Sequence, residues 1–395
     1  MFGKYILKSK LHDCFRAAEL CLTYKHNNHT QYIYPTINSI LRKPNKTLII
    51  FNLLNGTDPK LVKKKEFVFM QYFGKNIELK GDLKKYVLTI YKKNSQQDSI
   101  LYDYNFIKEQ IDEKGYLFPI VAGMDRSNNF HMYDATNNPN LLIFGQPGSG
   151  KSSILHVIHS TLIQKYSAEE LHIYMADFKM SEFNVYEGVK HVKSVCYLAK
   201  ELAPVLTHLK NELAKRGELL KQNKVRHINK LPKDKKPPYI LLTIDEFVMI
   251  KDDDIMADLL QVCSLGRAYG IYVILSMQRP SHKILSTDVR GVISVRMGFR
   301  TVDKTNAKIG ETPGSEKISK EDPGRFLLNL DELIELKSPY LDEDATEKIL
   351  DVFKVDKWKN HDFKITQGQR EPKQSAVQVE PPSAPEENKE IDLFL

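Results

Sequence analysis

The chain has 395 residues, 42% apolar and 27% charged, with a formal net charge of +8: long enough for two domains, with a charge that suits a polyanionic partner yet by itself argues only for association and solubility. No run approaches the roughly 18 apolar residues a membrane helix needs, and the start "MFGKYILKSK" lacks the apolar core of a signal peptide, so the expectation is a cytoplasmic protein without direct membrane insertion. Cys14, Cys21, Cys196 and Cys263 have neither CxxC nor metal-ligand spacing, which argues for reduced thiols and against a disulfide framework.

Residues 1–104 read as a small basic α+β domain. "LHDCFRAAELCL" places Leu11, Cys14, Phe15, Ala18 and Leu22 on one helical face. "TLIIFNL" (47–53) predicts a strand. "TDPKLVKKKEFVFMQYFG" predicts a helix with Asp58 as N-cap, Pro59 in the first turn and Gly74 as its stop. "YVLTIYK" (86–92) predicts another strand, completing a β-α-β unit. Tyr32, Tyr34, Tyr72 and Tyr86 are read as core, and the interleaved lysines as solvated rather than as a nucleic-acid surface.

After the polar "KKNSQQDS", residues 105–140 read as a connector whose "FPIVAGMDRSNNFHMYDA" forms a hairpin turning at 127–129. From 141 to 354, "LLIFG", "LHIYMADF", "YILLTIDE", "IYVILSMQ" and "GVISVRMGFR" are short, apolar and β-rich, with helical stretches between most of them. That alternation predicts a mostly parallel sheet covered on both faces, an α/β fold. The insertion before the third strand carries a helix over about 199–221 and then the basic "KLPKDKKPP", readable equally as a channel loop or a solvated one. Residues 355–387 are rich in Pro, Glu, Gln and Ser and predict a disordered linker.

"GQPGSGKS" (145–152) lies between a predicted strand and a predicted helix, the context in which G-x-x-x-x-G-K-[ST] binds phosphate. Backbone N–H groups from Gly148, Ser149 and Gly150 to Lys151 line an anion-binding concavity, flanked by Gly145, Pro147 and Ser153. The following helix adds its positive end. Lys151 supplies charge for the β- and γ-phosphates of ATP, and Ser152 offers a hydroxyl to Mg²⁺. "YILLTIDE" supplies Asp245 for the metal and Glu246 for the attacking water; a second adjacent carboxylate is what a hydrolase needs and a mere nucleotide binder does not. Gln278, at the end of a further strand, is placed to sense the γ-phosphate.

The ordered set "GMDRSNNFHMYDATNNPNLLIFGQPGSGKSS", "MADFKMSEFNVY", "ELAKRGELL", "IDEF", "GRAYGIYVILSMQRPS", "RMGFR" and "IGETPGSEKISKEDPGRFLL" resembles the motor of the FtsK/SpoIIIE family of DNA translocases over residues 118–328. Phe178 stands where the family usually has proline, and neither membrane helices nor a winged-helix reader of DNA accompanies the motor, so the likeness is to the compact members of Gram-positive plasmids and integrative conjugative elements. The resemblance implies a RecA-like P-loop ATPase, bacterial, that forms a homohexameric ring around double-stranded DNA. It implies an arginine finger, for which Arg216 is the first candidate and Arg300 and Arg267 the alternatives, and phosphate-gripping loops, for which Lys179, Lys283 and Arg290 are candidates.

The terminal segment 388–395 ends in "EIDLFL". Ile391, Asp392, Leu393 and Phe394 resemble the peptide that hooks the DNA sliding clamp, or else the acidic tip of single-stranded DNA-binding protein; docking on the chain's own motor is the alternative. The leading expectation is an ATP-driven duplex DNA translocase acting in transfer, replication or maintenance of a mobile element. The alternatives are a type IV secretion coupling protein, a type VII secretion ATPase, and a nucleotide-binding adaptor that recruits replication proteins through its tail.

Overall fold

The computed structural model describes residues 2–360 apart from 27–28, 45, 75, 92–98 and 357. The terminal peptide and nearly all of the expected linker therefore lie outside the described residues.

The first helix, α1 (Phe2–Ala17), buries Leu11, Cys14 and Phe15, with Ala18 just beyond its end. Leu22 departs from the expected face. Glu19 takes a left-handed backbone (φ 58°), and the chain leaves the helix for a hairpin of β1 (Leu22–His26) and β2 (His29–Ile33), where Leu22 is exposed and Leu20 takes its place in the core. A four-stranded antiparallel sheet follows, built from β3 (Thr36–Arg42), β4 (Lys46–Asn52), β5 (Ile77–Gly81) and β6 (Lys85–Tyr91) in the order β3-β4-β6-β5.

The expected long helix is two: α2 (Pro59–Lys64), capped by Asp58 through the Lys60 amide, and α3 (Glu66–Phe73). It leads into β5, which sequence reading passed over, and β6 is inserted between β4 and β5. The unit is a split β-α-β. Tyr86 is buried and Tyr34 and Tyr72 pack on this core, while Tyr32 is exposed, so the aromatic reading holds for three of the four tyrosines.

The larger part begins earlier than residue 141. Here β7 (Ile100–Leu101) leads to α4 (Tyr104–Lys114), and the hairpin β8 (Pro119–Asp125) and β9 (Phe130–Asp134) turns where expected, its turn held by the Asp125 carboxylate on the Ser127 and Asn129 amides. The hairpin is no mere connector, because its strands belong to the main sheet.

Next come β10 (Asn140–Phe144), α5 (Lys151–Lys165), β11 (Leu171–Asp177), β12 (Val192–Cys196), α6 (Ala199–Gln222), β13 (Tyr239–Asp245), α7 (Asp253–Leu265) and β14 (Ile271–Met277). They are followed by α8 (Thr287–Val292), β15 (Val295–Phe299), α9 (Lys304–Ile309), β16 (Arg325–Asn329), β17 (Leu333–Lys337), β18 (Pro339–Tyr340) and α10 (Glu343–Leu350). The sheet order is β12-β11-β13-β14-β10-β15-β16-β17-β8-β9. The run from β12 to β15 is parallel, and from β15 to β9 each neighbouring pair is antiparallel.

Sequence periodicity explains the layering. β10, β13 and β14 are buried at every position, the mark of strands covered on both faces. Helix α5 is buried from Ile154 to Ile163 on all sides, with α4 and α10 outside it. Both of its buried histidines are paired: His159 Nε2 lies 2.8 Å from Thr243 Oγ1 of β13, and His156 Nδ1 lies 2.9 Å from the Tyr186 hydroxyl. These bonds fix the helix after the phosphate loop against the strand that carries the acidic residues.

Candidate functional site

In a parallel α/β sheet, ligands bind beyond the carboxyl ends of the strands, where connections diverge to opposite sides. Strand β10 is such a point: it lies between β14 and β15, while the chain leaves it for β11, on the far side of β13. The loop 145–150 is anchored on three neighbours. The Gly145 amide donates to the Met277 carbonyl (3.3 Å), the Gln146 amide to the Arg300 carbonyl (2.9 Å), and the Gly324 amide to the Ser149 carbonyl (2.8 Å). Gly150 is required twice over, since its φ is +108° and a Cβ there would sit 2.7 Å from the Gly324 nitrogen.

Pro147 and Gly148 form the exposed tip, and α5 begins at Lys151. Lys151 Nζ donates to the Gly145 carbonyl at 2.7 Å. Burial lowers its pKa, and Asp245, Glu246 and Glu182 pull the other way. The hydroxyl of Ser149 and Oε1 of Gln146 are buried without a hydrogen-bond partner, so the loop carries polar groups that the protein itself does not satisfy. A polyphosphate fits this loop: main-chain amides, a helix N-terminus, an ammonium group and a free hydroxyl converge there.

The acidic half comes from β11 and β13, which place Asp177 and Asp245 side by side in register. Asp245 is buried, and burial pushes its carboxyl above the ordinary value, with Lys179 opposing. Glu246, also buried, has φ 49°, a left-handed conformation that a glutamate adopts at a cost and that turns its side chain away from the strand's alternation. Its Oε2 is ion-paired with Lys179 Nζ, and its Oε1 accepts from the Gln278 amide at 3.4 Å.

Asp177 organises the adjoining turn, accepting from the amides of Lys179 (3.1 Å), Ser181 (2.8 Å), Glu182 (2.7 Å) and Phe183 (3.1 Å). Glu182 thereby reaches Ser152, whose Oγ donates to it at 2.8 Å. Burial raises the Glu182 pKa, with Asp245 and Asp177 adding to the effect. Sequence reading notes Asp177 only as a partner of Lys179 and gives Glu182 no role. The signal was there: "MADFKMSE" ends a buried strand in one acid and carries a second five residues on.

Lys151, Ser152, Asp245, Glu246 and Gln278 are thus brought together. Ser153 is not part of the cradle: its Oγ accepts from the Leu341 amide at 2.8 Å and ties α5 to the segment after β18. Arg216 is corrected too. Its side chain is 2% exposed, Nε bonds Glu212 at 3.2 Å and Nη1 donates to the Tyr269 carbonyl at 2.7 Å, so its guanidinium is held inside its own chain rather than offered to a neighbour.

Arg267 donates to the Thr136 carbonyl at 3.0 Å, near the amino end of β14 and away from the loop. Arg300 stands beside the loop, its carbonyl holding Gln146. Lys179, a candidate for DNA phosphate, is ion-paired with Glu246 of the acidic cluster while its side chain remains 36% exposed. Lys283 is exposed and Arg290 half-buried, both in the stretch between β14 and β15.

Among the described residues no group of three or more His, Cys, Asp or Glu could hold a metal by itself. Mg²⁺ in nucleotide sites is shared between one or two protein oxygens and the substrate phosphates. The Ser152 hydroxyl and Asp245 carboxylate, with Glu182 beside them, are hard oxygen donors of that kind. Among the described residues no helix is long and apolar enough to cross a membrane.

Residues 106–287 match the FtsK/SpoIIIE family. The DNA translocase FtsK of Leptospira interrogans is 30% identical over 259 residues, 59% of this chain and 26% of that protein. The DNA translocase SpoIIIE of Bacillus subtilis is 27% identical over 250 residues, 59% of this chain and 32% of that protein. The chain thus spans about a quarter to a third of the length of these curated relatives. Among solved structures, the pCW3 conjugation coupling protein TcpA, in a monomer form with ATPγS, superposes with TM-score 0.59 at 22% identity, over 87% of this chain and 98% of that one. The cytoplasmic domain of the Thermomonospora curvata type VII secretion ATPase EccC gives TM-score 0.54 at 21% identity, over 63% of this chain and 32% of that one. At such identities these likenesses establish the fold.

Proposed function

From a chain that carries an FtsK/SpoIIIE family domain over residues 106–287, we propose an ATPase that moves along double-stranded DNA, working as a homohexamer in the transfer, replication or maintenance of a mobile element. The observation that carries this reading is the convergence of Lys151, Ser152, Asp245 and Glu246 on one phosphate loop with its own unsatisfied polar groups.

The loop amides and Lys151 bind the β- and γ-phosphates and spread the charge that develops during transfer. Ser152 and Asp245 would hold Mg²⁺, which would supply neutralisation of the charge on the phosphates. Glu246 orients and deprotonates the attacking water, and Gln278, joined to Glu246 through its amide, reports the change at the γ-phosphate. With Arg216 held inside the chain, Arg300 and Arg267 remain the candidates for a finger that reaches a neighbouring protomer's site.

The test is ATP turnover with and without long duplex DNA, paired with electron microscopy for rings. A many-fold rise with duplex is expected; a persistent monomer whose turnover ignores duplex would refute the reading. One observation favours a second role for the same chemistry. The fold likeness to the conjugation coupling protein TcpA runs over 98% of that chain and 87% of this one, more than the motor alone accounts for. A coupling role, delivering DNA to a membrane channel through an anchoring partner, predicts co-purification with a conjugation membrane component.

A further inference from the structure

Glu246 is held by a residue that the preceding scheme leaves without a role. Its side chain is 9% exposed, and Oε2 is ion-paired with Lys179 while Oε1 takes the long contact from the Gln278 amide. A general base must offer a free lone pair to the proton of its water. An ammonium group on Oε2 takes up part of the carboxylate's acceptor capacity and holds the side chain toward Lys179, so the pair restrains the base from meeting its water.

Lys179 is differently situated. Its amide is fixed by Asp177, but its side chain is 36% exposed, and Met180, the next residue of the turn, is 61% exposed. Only the lysine side of the pair is exposed, so Lys179 can swing toward an incoming anion, but that anion has to offset the cost of leaving the buried Glu246 without its cation. A phosphate, with more charge and several acceptor oxygens, competes well for an ammonium.

Resting on the ATPase reading, we propose that Lys179 is a positioning residue that masks Glu246, and that a phosphate group reaching the 178–183 turn draws the ammonium away and frees the carboxylate for its water. That phosphate is the backbone of duplex DNA; one from the nucleotide in the loop would release the mask in every ATP-bound molecule, and the two sources give different signatures. If duplex phosphate releases the mask, Lys179→Met raises the DNA-free kcat several-fold and leaves little further stimulation by duplex. If the nucleotide's own phosphate does, saturating ATP has already released the mask in wild type, and Lys179→Met leaves kcat unchanged with and without duplex. In either case Lys179→Arg, which keeps the cation, stays near the wild-type rates.

The measurement is kcat at saturating ATP on the full chain, with binding of a fluorescent ATP analogue as the control. A DNA-free kcat in Lys179→Met at or below wild type, with analogue binding intact, overturns the proposal. A second measurement stands apart from turnover: labelling of Lys179 by an amine-reactive reagent, read by mass spectrometry without nucleotide. Freed of its carboxylate, Lys179 should label several-fold faster in Glu246→Gln than in wild type; equal rates overturn the ion pair itself. Wild-type protein that labels as expected yet never hydrolyses ATP, with or without duplex, would instead sink the ATPase reading.

Discussion

Asp177 and Asp245 are register partners at the ends of adjacent parallel strands, yet they serve opposite ends. Asp245 lies among the acids around the phosphate loop, while Asp177 is fully buried and spends its carboxylate on four main-chain amides of the turn that follows. Three of those amides meet one oxygen. Asp177→Asn keeps a single acceptor oxygen and points an NH₂ group at donors. With its oxygen toward the three, the variant loses the fourth bond and the charge assistance of the others, which costs on the order of 2–3 kcal/mol and lowers Tm by several degrees in a domain of this size. Turnover should fall as well, because Lys179 and Glu182 are placed by that turn. A thermal melt identical to wild type would show that the turn holds itself.

Lys151→Ala and Glu246→Gln separate binding from cleavage. Lys151 acts on ground-state and developing charge alike, so its loss should weaken ATP binding and cut kcat by about 10²–10³. Glu246→Gln leaves the phosphate cradle intact, so ATP should bind normally while kcat falls by about 10²–10⁴. The expected product of the second change is a protein that retains nucleotide and, in the proposed function, holds DNA without moving. Normal hydrolysis by Glu246→Gln would remove that residue from its assigned role.

Arg216 gives the opposite signature. Replacing it with Met removes the donor to the part-buried Tyr269 carbonyl and leaves Glu212 with Lys215 alone, whose Nζ also lies at 3.2 Å. An unsatisfied buried acceptor costs about 1–3 kcal/mol, so the melt should shift down by a few degrees. In protein kept well below that melt, kcat per folded molecule should stay within about twofold of wild type. A large loss of kcat with an unchanged melt would instead restore Arg216 as the finger.

The elements that could be read from sequence are those whose signal is local. Strands β10, β13 and β14 are apolar runs with turn residues at their ends, and the G-x-x-x-x-G-K-[ST] loop has obligatory residue types. Tertiary context decided the rest. Strand β5 has polar residues on its outer face, and the following β6 passes between it and β4. β12 was masked by its surrounding turns. The hairpin β8–β9 was recognised, but its membership of the main sheet depends on β17, more than 200 residues away. Arg216 misled because a motif shows which residue stands at a position and not which way its side chain points; only the Tyr269 carbonyl reveals that it points inward. Glu182 was passed over because its place depends on Asp177 folding the chain back by five residues.

Glu182 gives the pH test. Burial raises its pKa, with Asp245 and Asp177 adding to the shift and the Ser152 hydroxyl and Lys151 opposing it. The folded chain therefore keeps the Glu182 proton to a higher pH than the unfolded chain does. Between the two values the folded state binds more protons, so stability falls as pH rises through that window and stays lower above it. Glu182→Gln removes the titration. The Tm difference between variant and wild type should be small near pH 4, where the carboxyl is protonated in both states, and should grow in the variant's favour toward pH 8. Asp245 still titrates in the variant, so its own pH dependence should shrink without vanishing. If Glu182→Gln instead melts lower than wild type at pH 8, the Ser152 bond and Lys151 outweigh burial, and Glu182 is a stabilising partner of the loop rather than a strained acid beside it.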